Sequence, residues 1–512
     1  MTHSVAAIEA RRLALQRTQD EGRSRAERNR LGQFATPGPL AGELLRYAHQ
    51  LIGSGPVRFL DPAIGTGSFY SALLHEWPAA SIAAATGFEI DPHYARPCNA
   101  LWQGMRLQLR AEDFTAALPP SAEAERYDLV ICNPPYVRHH HLGRSAKTRL
   151  QRRSMQATGL HLSGQAGLYA HFVLLTHAWM SRGALAGWLI PSEFMDVNYG
   201  RELKAYLLRQ VTLLRIHRFD PSERQFDDAL VSSSVLWFRN ERPAPGHQVE
   251  FSYGGSLSRP KIRGLVPELP LEKALKWTRF PAARAPACDS SAPTLGQYFR
   301  VQRGIATGAN RFFIMTDEQA RERGISRQCL RPILPGPRYL DLDEVQANAA
   351  GDPQVARPLW ILDCRLPENE IRLKHPDLWR YLAAGKAAVA EGYLCSRRVP
   401  WYSQEIRAPT FFLCTYIARR RRDGRAQRFI FNHSQAIAAN SYLMLYPRLA
   451  LDQFIGRDVE RARQVWQVLR QIDARDITAC GRVYGGGLYK VEPRELAAIP
   501  VPQLAELLSV RI

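Results

Sequence analysis

Residues 58–69 read RFLDPAIGTGSF, and the fold follows from how they divide. Phe59 and Leu60 belong to a short apolar run that ends on Asp61 and Pro62. Gly65 and Gly67 then mark a tight loop, and a helix follows. A buried strand running into a glycine turn and a helix is the opening unit of an open α/β sheet. Without a Cβ in the way, the glycine backbone lets a bound nucleoside come close. A plain strand-to-helix turn competes with that reading, and the fingerprint GxGxxG is not completed because position 70 is Tyr.

Outward from this segment, short β-type runs alternate with helical stretches from Arg58 to Phe238. AATGFEID (84–91), LQLRAED (107–113), YDLVICNPP (127–135), ALAGWLIPS (184–192), LLRIHRFD (213–220) and SSSVLWFR (232–239) read as strands. HFVLLTHAWM (171–180) and RELKAYLLR (201–209) read as helices between them. The pattern predicts a mostly parallel α/β sheet with ligand sites at the carboxyl ends of its strands. The second strand ends in Glu89, a carboxylate able to accept both hydrogen bonds of a ribose diol, or simply a solvated loop acid. The third ends in Asp113 and Phe114, which offer an acceptor and a ring to an adenine, or serve the fold alone.

The fourth strand ends in Asn133, Pro134, Pro135 and Tyr136. Two prolines remove donors and stiffen the turn, which leaves carbonyl oxygens as acceptors beside the Asn amide. Two acceptors and an aromatic ring suit a planar heterocycle with an exocyclic amine. Cys132, one position earlier, reads as a buried strand residue rather than a nucleophile.

The whole chain has 68 Lys and Arg against 48 Asp and Glu, a net charge of +20. Hydrophobic residues at 46% and charged residues at 23% exclude wholesale disorder and collagen-like repeats. Eight scattered cysteines without a CxxC pair argue against a zinc site and a disulfide framework, and for a reducing compartment. No stretch approaches the roughly 18 apolar residues of a membrane span. The basic excess favours a polyanionic partner, although an Arg-rich surface alone gives the same balance. Composition divides the chain into a basic helical extension over 1–30, the α/β domain over 31–245, a Pro/Ala/Ser-rich linker or connecting region over 246–294 and a second domain over 295–512.

In the order of these segments the chain resembles the gamma-class adenine-N6 DNA methyltransferases of type II restriction-modification systems. The resemblance rests on GQFATP (32–37), DPAIGTGSF (61–69), FEIDP (88–92), AEDF (111–114), NPPYV (133–137), GLYAHFVLL (167–175) and GWLIPSEFM (187–195). In the C-terminal half it includes VQRGIATGANRFF (301–313), NSYLMLYP (440–447) and YGGGLYKVEPREL (484–496). It implies a class I, Rossmann-like S-adenosylmethionine-dependent methyltransferase sheet followed by a mixed α/β target-recognition domain. It further implies that S-adenosylmethionine meets Thr36 and the segment holding Asp61, Ala63, Gly65 and Gly67. The ribose would meet Glu89 and the adenine Asp113 and Phe114. A target adenine flipped out of double-stranded DNA would be bound by Asn133, Pro134 and Tyr136, with Phe226 as a second ring. Asn133 in place of Ser weighs toward adenine over N4-cytosine. No metal is required. The family also implies a bacterial cytosolic, nucleoid-associated protein, with a separate cognate restriction endonuclease as partner.

Two readings of IARRRRDGRAQR (417–428) stand: a strip for DNA phosphates, or a solvated loop. The same holds for the N-terminal extension, as a helix on DNA or as a cover over the cofactor site. Glutamine methylation, RNA methylation and a catalytically silent DNA-binding subunit share parts of the pattern. The basic C-terminal half disfavours the first, the FATP block and the C-terminal segments the second, and the intact Glu89, Asp113, Asn133 and Tyr136 the third.

Overall fold

Strand β1 (Val57–Asp61) is buried on both faces and forms the centre from which the first sheet grows in two directions. In a computed structural model of the chain, which describes residues 5–220, 232–281, 292–419, 427–484 and 488–509, two units separate. The first spans Met1–Ala285 with Tyr484–Gly486, and the second holds the remainder.

The first unit is built on nine strands. They are β1, β2 (Ile82–Phe88), β3 (Leu107–Arg110), β4 (Tyr127–Cys132), β5 (Met180–Pro191), β6 (Thr212–Arg218), β7 (Ser233–Arg239), β8 (Gln248–Gly255) and β9 (Pro260–Pro267). Their order is β3-β2-β1-β4-β5-β7-β6-β8-β9. From β3 through β5 every neighbour is parallel, while β7 runs antiparallel to both β5 and β6. Successive residues feed opposite cores: Leu60, Val130, Ala186 and Trp188 face one side, and Phe59, Leu129, Leu185 and Leu189 the other. This two-sided burial is why the strands read as continuous apolar runs.

Helices α1 (Val5–Glu21), α2 (Arg25–Leu31), α3 (Gly38–Ile52), α4 (Ser68–Glu76) and α5 (Pro92–Leu101) precede β3. Of these, α3 and α4 bury apolar side chains in the second core. Helices α6 (Arg144–Thr158), α7 (Leu168–Thr176) and α8 (Arg201–Arg209) cover the first. The chain leaves β1 toward β2 on one side and reaches β4 on the other, so the carboxyl ends of β1 and β4 open on the crevice where such sheets bind ligands.

The expected linker over 246–294 is not one through Pro281. Its residues form β8 and β9 at the edge of the sheet, and Phe251, Trp277 and Phe280 enter the first core. Trp277 donates from its backbone to the Met195 carbonyl at 3.0 Å and from its indole to the Leu271 carbonyl at 2.9 Å. Pro and Gly at the segment's turns hide strands whose burial is one-sided, with Lys261, Ile262 and Arg263 exposed on β9.

The second unit is mixed α/β, as the family resemblance implies. Strands β10 (Phe299–Arg303), β13 (Glu344–Val345), β15 (Phe412–Thr415), β17 (Phe429–Asn432) and β18 (Tyr442–Pro447) form a sheet in the order β10-β18-β15-β17-β13. Strands β11 (Ile314–Met315), β12 (Leu330–Ile333) and β14 (Leu359–Leu362) form a smaller one, and β16 (Ile417–Arg419) pairs with Leu488–Lys490. Alternate residues of the larger sheet again serve two cores, Leu413, Ile430 and Met444 one and Phe412, Phe431 and Leu445 the other.

Candidate functional site

At the end of β1, Asp61 is buried and accepts a hydrogen bond from the Ala63 amide at 3.1 Å. Burial raises its carboxyl to about 7. The loop that follows is fixed from below, since the Ile64 amide donates to the Phe88 carbonyl at 2.9 Å. Gly67 has φ +93° and caps α4, and a Cβ there would lie 2.5 Å from the Trp102 indole nitrogen. Gly65, at φ +57°, differs: a Cβ on it would meet nothing within 4 Å. The loop is therefore packed on one side and open on the other, where a ligand can lie against backbone.

Glu89, just past β2, borders the same opening. Its two carboxylate oxygens accept from the Gly65 amide at 3.1 Å and the Asp91 amide at 2.8 Å. Each oxygen keeps a second lone pair for another donor. Burial raises this carboxyl as well, to about 7. Asp113, past β3, accepts from the Thr115 amide at 2.9 Å and hydroxyl at 2.7 Å, and its other oxygen pairs with Arg149 at 3.0 Å. Phe114 is 3% exposed, its ring 5.3 Å from Phe88 and Trp179 and 5.4 Å from Phe172.

Asn133 follows β4. Its Nδ2 donates to the Phe34 carbonyl at 2.9 Å and to the Thr36 hydroxyl at 3.1 Å. The Phe34 carbonyl can only accept, so the network fixes which end of the amide faces it. The other end, Oδ1, is buried and has no hydrogen-bond partner among the described residues. A buried orphan acceptor costs about 1–3 kcal/mol, and here it is held in place by the FATP segment. Thr36 also ties that segment to the glycine loop, because its carbonyl accepts from the Ser68 hydroxyl at 3.0 Å. Gly32 closes the link: its carbonyl accepts from the Tyr136 amide at 3.1 Å. Pro134 is buried, and the half-buried Tyr136 donates through its phenol to the Leu189 carbonyl at 3.1 Å. The Tyr136 ring lies 5.6 Å from Phe34.

One end of the first sheet thus gathers an open-faced glycine loop between the buried Asp61 and the half-buried Glu89 and, from β4, the buried amide oxygen of Asn133 close to the Tyr136 ring. The family described as Eco57I restriction-modification methylase matches residues 93–226, and that of the C-terminal domain of type II methyltransferase M.Eco57I matches 274–510. Type II methyltransferase M.XamI of Xanthomonas campestris pv. amaranthicola is 29% identical over 488 residues, 93% of this chain and 86% of the relative. Type II methyltransferase M.AccI of Acinetobacter calcoaceticus is 24% identical over 510 residues, 94% of this chain and 87% of the relative. The chain belongs to the type II restriction-modification DNA methyltransferases. The type IIL restriction-modification enzyme MmeI, solved in complex with DNA, shares the fold at a TM-score of 0.59 and 12% identity, over 94% of this chain and 69% of its own.

S-adenosylmethionine is the cofactor of the methyltransferase, and the residues present fit it. The open face of Gly65 leaves room for its chain, and Glu89 and Asp61 stand at the ends of adjacent strands as hydrogen-bond acceptors. The N-terminal extension packs on this loop. Arg12, 1% exposed, pairs with Glu9 at 2.7 Å and donates to the Thr66 hydroxyl at 3.2 Å. Thr66 in turn donates to Gln16 at 2.6 Å, and Glu9 accepts from Ser71 at 2.6 Å. The extension therefore packs against the glycine loop through Glu9, Arg12 and Gln16. Its signal in the sequence is faint, since polar bonds rather than an apolar stripe hold α1 in place.

Phe226, Arg420, Arg421 and Arg422, and the glycines 485–487, lie outside the described residues. Among the described residues no helix is long and apolar enough to cross a membrane, and no group of three or more His, Cys, Asp or Glu is placed to hold a metal ion.

Proposed function

We propose that this methyltransferase transfers a methyl group to the N6 amine of an adenine flipped out of double-stranded DNA. The observation that carries the proposal is the Asn133 Oδ1, buried, without a partner among the described residues, and fixed by the two acceptors that hold its Nδ2. An adenine amine has two N–H bonds and a lone pair delocalised into the ring. Accepting those bonds at Asn133 Oδ1 and the Pro134 carbonyl localises the pair on nitrogen and aims it out of the plane of the base. When bound, S-adenosylmethionine would supply an electrophilic methyl group on its sulfonium, the S–CH3 bond breaking to leave the neutral thioether S-adenosylhomocysteine. The nitrogen loses one proton as the new N–C bond settles, and Asn133, which is no base, leaves that proton to solvent.

N6 is inaccessible within a base stack, so the base must leave the duplex at a cost of a few kcal/mol, of which stacking on Tyr136 returns about 1–3. Phe226 is the proposed ring for the opposite face. Asp61, Ala63, Gly65, Gly67 and Thr36 hold the methionine part of the cofactor, Glu89 its ribose, and Asp113 and Phe114 its adenine. The second unit reads the target sequence, and a separate endonuclease cleaves the same site when it is unmodified.

The ribose assignment sets a pH dependence. Glu89 titrates near 7 in the folded chain against an ordinary 4.5, so the folded chain holds this proton more tightly than the unfolded one. That stabilisation is present at low pH and is lost as pH rises through about 7. Ribose hydroxyls donate to the carboxylate, so ligand binding works in the opposite sense and favours loss of the proton. Calorimetric titration with S-adenosylhomocysteine is therefore expected to show affinity weakening by up to about tenfold per pH unit below 7 and level above it. Glu89→Gln is expected to reduce that slope, and an unchanged slope would assign the titration to Asp61 instead.

The function is tested by incubating the protein with S-adenosylmethionine and unmethylated genomic DNA, then analysing the nucleosides by mass spectrometry. N6-methyladenine is expected. N4-methylcytosine would refute the target base while keeping the acceptor pair. No modified nucleoside from a protein that binds S-adenosylhomocysteine would overturn the proposal.

A further inference from the structure

No Asp or Glu occurs between Asp128 and Glu193, although the interval holds the catalytic loop and two helices. Directly after Tyr136 come Arg138 and His139, His140 and His141, then α6 with Arg144, Lys147, Arg149, Arg152 and Arg153. Two of these cations are engaged, Arg149 with Asp113 at 3.0 Å and Arg153 with the Ala117 carbonyl. The side chains of Arg138, Arg144, Lys147 and Arg152 make no ion pair or hydrogen bond among the described residues. Arg138, Arg144 and Arg152 are exposed, and Lys147 is half-buried.

The start of α6 is electrostatically unusual. Its Gly143 cap offers no side chain to the free amides, and the first turn carries no acid but Arg144 and Lys147. Cations at the positive end of a helix are unfavourable by about 0.3–1 kcal/mol each, and the same end with free amides is a ready site for phosphate. The Arg149–Asp113 pair ties α6 to the end of β3, and the Leu168 amide, which opens α7, donates to the Val137 carbonyl at 3.0 Å. Arg138 and α6 therefore lie at the carboxyl end of the sheet that also carries Asn133 and Tyr136.

Resting on the function proposed above, we infer that residues 138–152 form a phosphate clamp, in which Arg138, Arg144, Lys147, Arg152 and the free amides of α6 grip the DNA backbone beside the target base. It acts on position rather than sequence, since phosphate contacts carry no base information. The clamp lies in the catalytic unit, so this unit holds the backbone near the extruded base independently of the base-reading residues.

The test is a variant carrying Arg138→Gln, Arg144→Gln, Lys147→Gln and Arg152→Gln. Its control carries Arg182→Gln and Arg242→Gln, two exposed cations at the opposite end of β5 and β7. Binding to a mixed-sequence DNA duplex is followed by fluorescence anisotropy across salt concentrations, with S-adenosylhomocysteine affinity and melting temperature as checks on the fold. The four substitutions are expected to lower the slope of log affinity against log salt by about 2–4, near 0.9 for each lost contact, and to weaken binding at least about tenfold near physiological salt. The KM for DNA is expected to rise with kcat changed by less than about threefold, the pattern of lost uniform binding. Salt slope and affinity matching the unmutated protein, or an equal loss in the control, would overturn the clamp. So would tighter binding of an RNA duplex with the same loss on substitution. Weaker DNA binding by the variant, in a protein that forms no methylated base, would uphold the clamp and refute the proposed chemistry.

Discussion

Asn133→Ala is expected to bind S-adenosylhomocysteine and DNA as the unmutated protein does and to lose about 10²–10³ in kcat, some 3–4 kcal/mol of transition-state stabilisation, the range for removing one preorganised polar group. The loss falls on kcat because Oδ1 is already buried and oriented before any substrate arrives, so its dipole meets the charge that develops on the amine without reorganising. Orientation comes from the partners of Nδ2, which gives the prediction a second arm. Thr36→Val removes one of them and is expected to cost about tenfold in kcat, or about 1.4 kcal/mol, with Thr36→Ser restoring it. Single-turnover rates at saturating cofactor and DNA measure both. An Asn133→Ala protein that turns over within a few-fold of the unmutated rate would remove this side chain from the chemistry. A Thr36→Val variant that loses cofactor affinity instead of rate would confine Thr36 to the cofactor.

Gly32→Ala is expected to be comparably damaging through the backbone. Gly32 sits at φ +67°, and a Cβ on it would lie 2.8 Å from the Tyr136 carbonyl carbon and 2.9 Å from the Val137 nitrogen. Both are main-chain atoms of the catalytic loop, so no side chain can swing aside. Either the Pro-Pro-Tyr turn moves, or the segment from Gly32 to Thr36 lifts and takes the Phe34 carbonyl away from Asn133. Strain and overlap together are expected to cost about 2–4 kcal/mol of stability and at least about 10² in kcat/KM. Gly53→Ala is the control: its φ is +75°, but a Cβ there would meet nothing within 4 Å. With its ψ at −169°, a region nearly confined to glycine, it should lose about 1–3 kcal/mol and keep its activity. Equal activity in the two variants would refute the close packing of the Gly32 segment on the catalytic loop.

The parts of this fold that were legible in the sequence are those buried on both faces. Phe59 and Leu60, Leu129 to Cys132, and Trp188 to Ile190 show as strands because each of these residues meets a core, whichever way it points. Glycine spacing, the strand-end carboxylates and Asn-Pro-Pro-Tyr locate the site for the same reason: they are local, each within a few residues of a strand end. What was illegible depends on distance. Strands β8 and β9 lie between Pro and Gly turns, and β9 shows solvent Lys261 and Arg263, so the segment reads as a connection. Arg12 is charged and lies in a run without an apolar stripe, yet it is buried because Glu9 and a threonine 54 positions away satisfy it. Thr36 was legible as a cofactor contact, but its bond to Asn133 spans 97 positions and no local pattern announces it.

Biosynthesis meets the strand order in time. β7 closes one edge of β5 through a ladder from Leu185↔Arg239 to Pro191↔Ser233, and it also lies between β5 and β6. On the ribosome, β5 and β6 are both made before the strand that joins them. The 48 residues from Pro191 to Arg239 take about 2–10 s to synthesise at 5–20 residues per second. β5 shows an open edge for that whole interval and β6 joins it once Arg218 is made, the state in which strands pair with the wrong neighbour. Yield of folded protein should therefore respond to translation speed and to holdase chaperones across this one window, before the second unit has begun to emerge.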